Sequence, residues 1–544
     1  MRIRQILGRS ALWRSAFFIS LATLLDGQAQ DIFAQEATES ELADPGDPQT
    51  PTGSPEGDLP AESNDQLDPQ AQTAPTNPRI QEYFSTILKQ PGGLTSDEAA
   101  TGAAKISPRA RAAQTRVASA KARVREVKWS YLPRLTLSAG YTKLSPQPDT
   151  GGDIQGSLVG TAAPPGPIPD GTELIALDAS QAFQLITDQW SLNAGITLPI
   201  SDYILNLSKA LTGAKAARES AELNEHAERL NAAVNARIRY YNWVRARLDA
   251  REAKKSVERA TLQLETIAAQ AKAGLASRAD ELRSDAFLAS TELDMRRART
   301  REAVALEQLN VLVTGGEKSQ PNWQIGEAII VAPPKSWRET KSLDELQQEA
   351  LSSRLEIQAL RRNSDALRDK EKVERSQAYP RLEGFANAQY ANPNSRIVPQ
   401  VDDWLGSWDL GLRVSWTLND LGVQYSRAAQ SAADAAQVEA QVQELEFALR
   451  TEVLQEYRTL QESSLATAAA QRGFEATEAA YRDRVTLYQA GRATSLDLLE
   501  AETALVRSRL DLVAAYIGQH ISRARLDHAL GRDINPQYSR SSEK

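Results

Sequence analysis

Two short stretches carry the residues whose types and spacing could do chemistry. After Gly491 the chain reads RATSLDLLE, placing Asp497 and Glu500 three residues apart, on one face of any helix that starts there. After Gly274 it reads LASRADEL, with Asp280 in the corresponding place. Acids so placed do one thing without further assumption. They cap a helix, because the free amides at its start favour negative charge. Catalysis finds no comparable foothold. The chain has no Ser/His/Asp set, no metal-ligand spacing and no phosphate-binding glycine loop. Its three histidines, His226, His520 and His528, fall within helical pattern and suit surface or packing roles. No catalytic residue, metal or cofactor is expected.

The two stretches are copies of one another. Ala273/Ala490, Gly274/Gly491, Ala276/Ala493, Asp280/Asp497 and Leu282/Leu499 all stand 217 residues apart. Trp190/Trp408 and Asp202/Asp420 stand 218 apart, and Pro108/Leu355 and Pro133/Pro380 stand 247 apart. A repeat this long is a duplicated half-domain. Each half reads as helix, two strands, long helix, glycine turn and returning helix.

In the first half Thr95 or Ser96 caps a helix expected to run, kinked at Pro108, to about Tyr131. The period then changes to two. Trp190, Leu192, Ala194, Ile196, Leu198 and Ile200 alternate with Ser191, Asn193, Gly195 and Thr197. Trp408, Leu410, Leu412, Val414, Trp416 and Leu418 repeat the pattern. Strands are expected at about 134–142, 190–200, 381–390 and 408–418, the third with Phe385 on its polar face. Such segments, apolar on one face with aromatics at their ends, suit a membrane barrel. Long helices follow, from about Tyr203 to Ala273 and from Gln424 to Gln489. Seventy helical residues would span about 105 Å. With the returning helices at about 279–313 and 495–530 they form antiparallel coiled-coil hairpins.

Around this frame, residues 1–34 read as a signal peptide, with a basic start and the apolar run AFFISLATLL. Residues 35–78 read as a disordered, acidic, Pro-rich extension. The first repeat is set at 79–316, a linker at 317–341, the second repeat at 342–531 and a tail at 532–544. The Gly- and Pro-rich residues 143–188 read as an exposed, irregular outer loop. There is no cysteine, so there are no disulfides, and the net charge of −8 offers no basic footprint for nucleic acid. Four strands cannot close a barrel. An open edge in lipid leaves backbone groups unpaired at several kcal/mol each, so the chain must contribute part of a barrel to a symmetric ring.

The chain resembles the outer-membrane efflux protein family, of which TolC is the type. The resemblance rests on YLPRLTLSAGY (Tyr131–Tyr141), SLDELQQEALSSRLEIQAL (Ser342–Leu360), WDLGLRVSWTLNDLG (Trp408–Gly422) and YQAGRATSLDLLEAETALVRSRLDLVAAY (Tyr488–Tyr516), in order and in both halves. It implies a mainly helical, duplicated TolC-like fold with membrane β structure. Long coiled-coil helices would form an α-barrel, and four strands per chain would enter the twelve-stranded β-barrel of a homotrimer. It further implies an outer-membrane exit duct reaching into the periplasm, docked to a periplasmic adaptor and an inner-membrane transporter or secretion ATPase.

The resemblance also assigns residues. Asp497 and Glu500 would line the periplasmic aperture, where six carboxylates attract cations and resist full ionisation. Asp280 and Tyr488 would lock the closed tip. The family's second lock uses an Arg where this chain has Ala493, and Arg492 or Arg278 are the candidates to substitute. Gly274, Leu275, Ser277, Gly491 and Thr494 would meet the adaptor. The competing reading is a structural periplasmic coiled-coil protein without a pore.

Overall fold

Where each helix starts and stops is set by prolines and capping side chains. The computed structural model describes residues 92–145, 157–160, 175–178, 186–316, 322–329, 341–398 and 400–532. All lie in one unit of the chain, Gln70–Lys544. The expected signal segment, the extension and the tail beyond Arg532 fall outside the described residues. In the first half the elements are α1 (Ser96–Ile106), α2 (Pro108–Trp129), β1 (Arg134–Lys143), β2 (Ser157–Gly160), β3 (Ile175–Asp178), β4 (Asp188–Leu198), α3 (Ile200–Leu205), α4 (Leu207–Lys272) and α5 (Arg278–Thr314). The second half supplies α6 (Leu343–Ser353), α7 (Leu355–Ser376), β5 (Arg381–Asn392), β6 (Leu405–Ser415), α8 (Asp420–Gln489) and α9 (Ser495–Ala529).

Thr95 caps α1 in a capping box with Glu98. The expected kink at Pro108 is a full break. Ser107 leaves the helical region and Pro108 takes the first position of α2, where its missing N–H is no loss. The second half breaks at the matching place, with Arg354 extended between α6 and α7. Two further boundaries differ from expectation. Pro199 stops β4 at Leu198 and opens the short α3, so the long helix proper begins after Asn206. β6 ends at Ser415, and Trp416 turns back so that its indole N–H donates to Ala378 O at 3.1 Å.

The four long strands form one antiparallel sheet in the order β1-β4-β5-β6. The central pair, β4 with β5, joins the two halves, although α3, α4, α5, α6 and α7 separate them in sequence. Within 143–188 the structure adds a small hairpin, β2 paired with β3, where the sequence suggested only irregular chain. Register aligns the apolar residues in rows: Leu135–Ile196–Ala386–Leu410 and Leu137–Ala194–Ala388–Trp408. The other face carries Thr136–Gly195–Asn387–Asp409 and Ser138–Asn193–Gln389–Ser407. The apolar face is bare, with Trp408 77% exposed and Leu137 75%. Aromatics gather at both ends. Tyr141 meets Trp190 at 4.4 Å between centroids and Tyr390 stacks on Trp404 at one end, while Trp129, Tyr379 and Trp416 stand at the other. An exposed apolar band between aromatic girdles is what a lipid-facing barrel wall requires.

Below the sheet, α4 packs on α5 and α8 on α9, the two expected hairpins, and α9 lies against α4. The described part of the inter-repeat segment, 322–329, enters the core. Ile325 bridges to Leu94, and Ile325 and Ile329 pack with Tyr240, Trp243, Leu309, Leu512 and Ile517. Burying such side chains contributes about 1.5–3 kcal/mol each. No described helix is long and apolar enough to cross a membrane.

Candidate functional site

Both glycine turns are built alike. Gly274 (φ 74°) and Gly491 (φ 70°) adopt the left-handed conformation that ends a helix at least cost when no Cβ is present. The following amides fold back, Leu275 N–H to Gln270 O and Arg492 N–H to Leu487 O, each at 2.8 Å. Ser277 then caps α5 with Asp280, and Thr494 caps α9 with Asp497, each a reciprocal capping box. Leu275 is 81% exposed at the first tip, and its counterpart at the second is Arg492.

The expected Asp280–Tyr488 bond is not the one this chain makes. Tyr488 O–H donates to Gln270 Oε1 at 3.2 Å, and Asp280 Oδ1 accepts from Ser495 Oγ at 3.0 Å. The two tips of one chain are thus tied twice, end of α8 to end of α4 and start of α9 to start of α5. The difference follows from reach. The capping box already commits the other Asp280 oxygen to Ser277, and Arg283 also approaches Oδ1 at 3.2 Å. Hydrogen bonds from Ser277, then from Ser495, hold the Asp280 carboxyl below the usual aspartate range. Gln270 and Ser495 carried no signal in the sequence, since neither position repeats between the halves.

Asp497 is fixed by its own cap. The Thr494 amide and hydroxyl donate to Asp497 Oδ2 at 2.9 and 2.8 Å, and the amide first, then the hydroxyl, hold its carboxyl below the usual range. In a single chain the pull is therefore toward ionisation, opposite to the reluctance expected of a crowded ring. Glu500 is exposed one turn further along α9, with no hydrogen bond or ion pair among the described residues. Arg278 pairs with Glu281 at 2.6 Å.

A buried charge cluster above the tips was missed. Arg259 Nε donates to Glu502 at 2.8 Å, and Arg259 and Arg509 reach Glu252 at 3.2 and 3.3 Å. Glu502 is 3% exposed and Glu252 8%. The signal was present: Glu252 and Arg259 are seven apart on α4, Glu502 and Arg509 seven apart on α9. On antiparallel helices that spacing pairs them crosswise. Among the described residues no group of His, Cys, Asp and Glu is arranged to hold a metal ion.

The model of a family described as outer membrane efflux protein matches residues 102–315 and 346–532, one stretch in each repeat. The chain belongs to the outer membrane efflux protein family. It is accordingly an outer-membrane channel whose helices extend into the periplasm. Solved structures share its fold. The channel CmeC of Campylobacter jejuni is 14% identical with a TM-score of 0.61, covering 92% of this chain and 97% of that one. VceC of Vibrio cholerae is 19% identical with a TM-score of 0.60, covering 80% and 96%. The open state of MtrE from Neisseria gonorrhoeae is 16% identical with a TM-score of 0.60, covering 81% and 89%. No curated protein matches the sequence.

Proposed function

We propose that three copies of this chain form one passive exit duct, with a twelve-stranded β-barrel continuous with an α-helical tunnel. The observation that carries this is the four-stranded sheet with a bare apolar face and two edges, β1 and β6, unpaired among the described residues. Edges in lipid must pair, and β1 of one copy against β6 of the next closes a ring. The helices offer the same arrangement. Packing puts them in the row α5–α4–α9–α8, leaving α5 and α8 outermost. Leu282, Leu293, Val304 and Val311 form an exposed stripe on α5, and Phe447, Leu454, Leu465 and Leu487 stand exposed on α8. A head-to-tail contact of this kind closes only as a ring. A barrel of eight strands fills with side chains, so two copies would make no duct.

In this duct Asp497 and Glu500 line the periplasmic aperture and attract cations. The tip residues Gly274, Leu275, Ser277, Gly491 and Thr494 receive a periplasmic adaptor, which links the duct to an inner-membrane transporter or secretion ATPase. The bonds Tyr488–Gln270 and Asp280–Ser495 hold the closed tip in place of the pair first expected. Native mass spectrometry in detergent should show trimers, and the trimers should conduct in a planar bilayer. A stable folded monomer would overturn the ring, and trimers without conductance would favour the coiled-coil scaffold without a pore.

A further inference from the structure

One aromatic on the sheet stands on the wrong face for lipid. By strand alternation Phe385 shares the polar face of β5 with Asn387 and Gln389. Its ring lies down on Gly411 of β6: a Cβ at Gly411 would come within 2.8 Å of Phe385 Cζ. Any larger residue there would displace the ring. Arg413 sets its guanidinium carbon 4.8 Å from the ring centroid, a cation–π contact. Glu383 is Arg413's register partner, yet Arg413 makes no ion pair among the described residues. The next acid along β6, Asp409, is taken by Arg396 at 2.5 Å and by Asn387 at 2.8 Å, and Arg413 acts on it only through its charge, without an ion pair. Thr197 and Arg134 continue the Phe385 row on β4 and β1, adding a second guanidinium and no acid.

The result is an exposed cation with its fork of donors unspent, seated on a ring that a glycine allows to lie flat. A guanidinium fork matches a carboxylate or sulfonate through two parallel hydrogen bonds, and the plane beside it takes an aromatic by stacking. We propose that Phe385 and Arg413 form a shelf that binds aromatic anions, small rings bearing one carboxylate or sulfonate. The shelf rests on the duct reading above, which makes this face the wall of the lumen. Three copies would place three shelves at one level, near the helical end of the barrel. Cargo carrying a ring and a negative charge would then pause there in transit. At the other end of the tunnel the carboxylates of Asp497 and Glu500 act on cations.

The test uses the full-length protein in detergent and 4-fluorobenzenesulfonate as probe, with fluorine NMR line broadening as readout. The matched cation, 4-fluorobenzyltrimethylammonium, serves as control. The anion should be broadened and the cation much less so. Arg413→Gln and Phe385→Leu should each weaken anion binding about three- to fivefold, the size of one exposed ion pair or ring contact. Glu383→Gln, which removes the facing carboxylate, should tighten it, a gain that misfolding cannot imitate. Equal broadening by both probes, or unchanged affinity in Arg413→Gln, would overturn the shelf. The duct is judged separately by conductance of the same preparation. Currents without anion binding remove the shelf and keep the duct, while binding without currents removes the duct.

Discussion

The two tips share a backbone and differ in charge. Each has a left-handed glycine, a hydroxyl N-cap and an aspartate three residues on, at matching positions 217 apart. Three residues beyond that aspartate the first tip has Arg283, which pairs with Asp280 at 3.2 Å, while the second has Glu500, which adds a charge to Asp497. One residue after the N-cap the first has Arg278, the second Ser495. Duplication has kept what folds the turn and changed what the turn presents. The first tip is a neutralised surface with an exposed leucine; the second is net acidic. Repetition therefore marks the capping boxes as structural, and departure from it marks Glu500 and Ser495 as the residues the second tip adds.

The largest effect should come from a neighbour of the acidic tip and not from the tip itself. Glu500 and Glu502 are two residues apart, one exposed and one buried against Arg259. Glu502→Ala takes the closest partner from the half-buried Arg259 guanidinium, which keeps Glu252 at 3.2 Å, and should cost about 1.5–3 kcal/mol, the worth of a hydrogen bond to a charged group. Glu500→Ala removes a solvated charge and should cost under about 0.5 kcal/mol. Denaturant unfolding of the two variants checks this. Similar losses would mean that Glu500 is buried in the assembled protein or that the α4–α9 cluster is slack.

Next in size is selectivity. Asp497→Ala with Glu500→Ala should weaken the cation preference, read as reversal potential in a salt gradient, and reduce block by multivalent cations from the periplasmic side. Glu500→Arg, which gives the second tip the first tip's residue, should go further by letting an arginine neutralise Asp497. Neither should alter stability by more than about 1 kcal/mol, the worth of an exposed helix-end charge. Unchanged selectivity in both would return Asp497 and Glu500 to capping alone.

How much of this was legible depended on whether a feature was local or periodic. The capping boxes, the glycine turns and the hairpin helices lie within a few residues of where sequence put them, because each follows from adjacent residues. The strand ends were misjudged where alternation ran on past a stop. Leu198 is followed by Pro199, and Trp416 continues the pattern of β6 without continuing the strand. The pairing of β4 with β5 and the Phe385–Gly411 contact join residues far apart in sequence, and no local pattern specifies them. The contacts Tyr488–Gln270 and Asp280–Ser495 were missed for a related reason. They join tips 215 or more residues apart through side chains that suit any surface helix.

A smaller effect separates the two tip bonds. Ser495→Ala removes the donor to Asp280 and leaves the Asp280 cap intact. Tyr488→Phe removes the donor to Gln270 and leaves the ring. Each deletes one part-buried hydrogen bond, worth about 0.5–1.5 kcal/mol, so each should raise single-channel conductance modestly and the pair together more. Conductance identical to wild type in the double variant would show that the closed tip is held by contacts between copies alone.

The subtlest difference lies in pH, and its sign reverses between the tips and the belt where the linker packs. Asp280 and Asp497 are held below the usual aspartate range by capping hydroxyls and amides. A carboxyl lowered in the folded state contributes stability that is present above its unfolded value and lost as pH falls through the folded one. The tips should therefore keep constant hydrogen-exchange protection from neutral pH down to the unfolded aspartate value near about 4, and lose it below. Glu327, beside Ser96 and Tyr241, is pushed up, first by burial, while the Ser96 hydroxyl donates to it at 3.0 Å. Here the unfolded chain gives up its proton first as pH rises, so this carboxyl withdraws stability upward through the glutamate range. Asp97, whose charge raises it further, and Arg237, ion-paired to Asp97 at 2.8 Å, stand on the elements around it. Glu327→Gln should remove that loss and leave the tips' acid response untouched. A variant whose global unfolding kept the wild-type slope between about pH 4.5 and 7 would show that Glu327 is solvated in the assembled protein, and the contrast between belt and tips would fail.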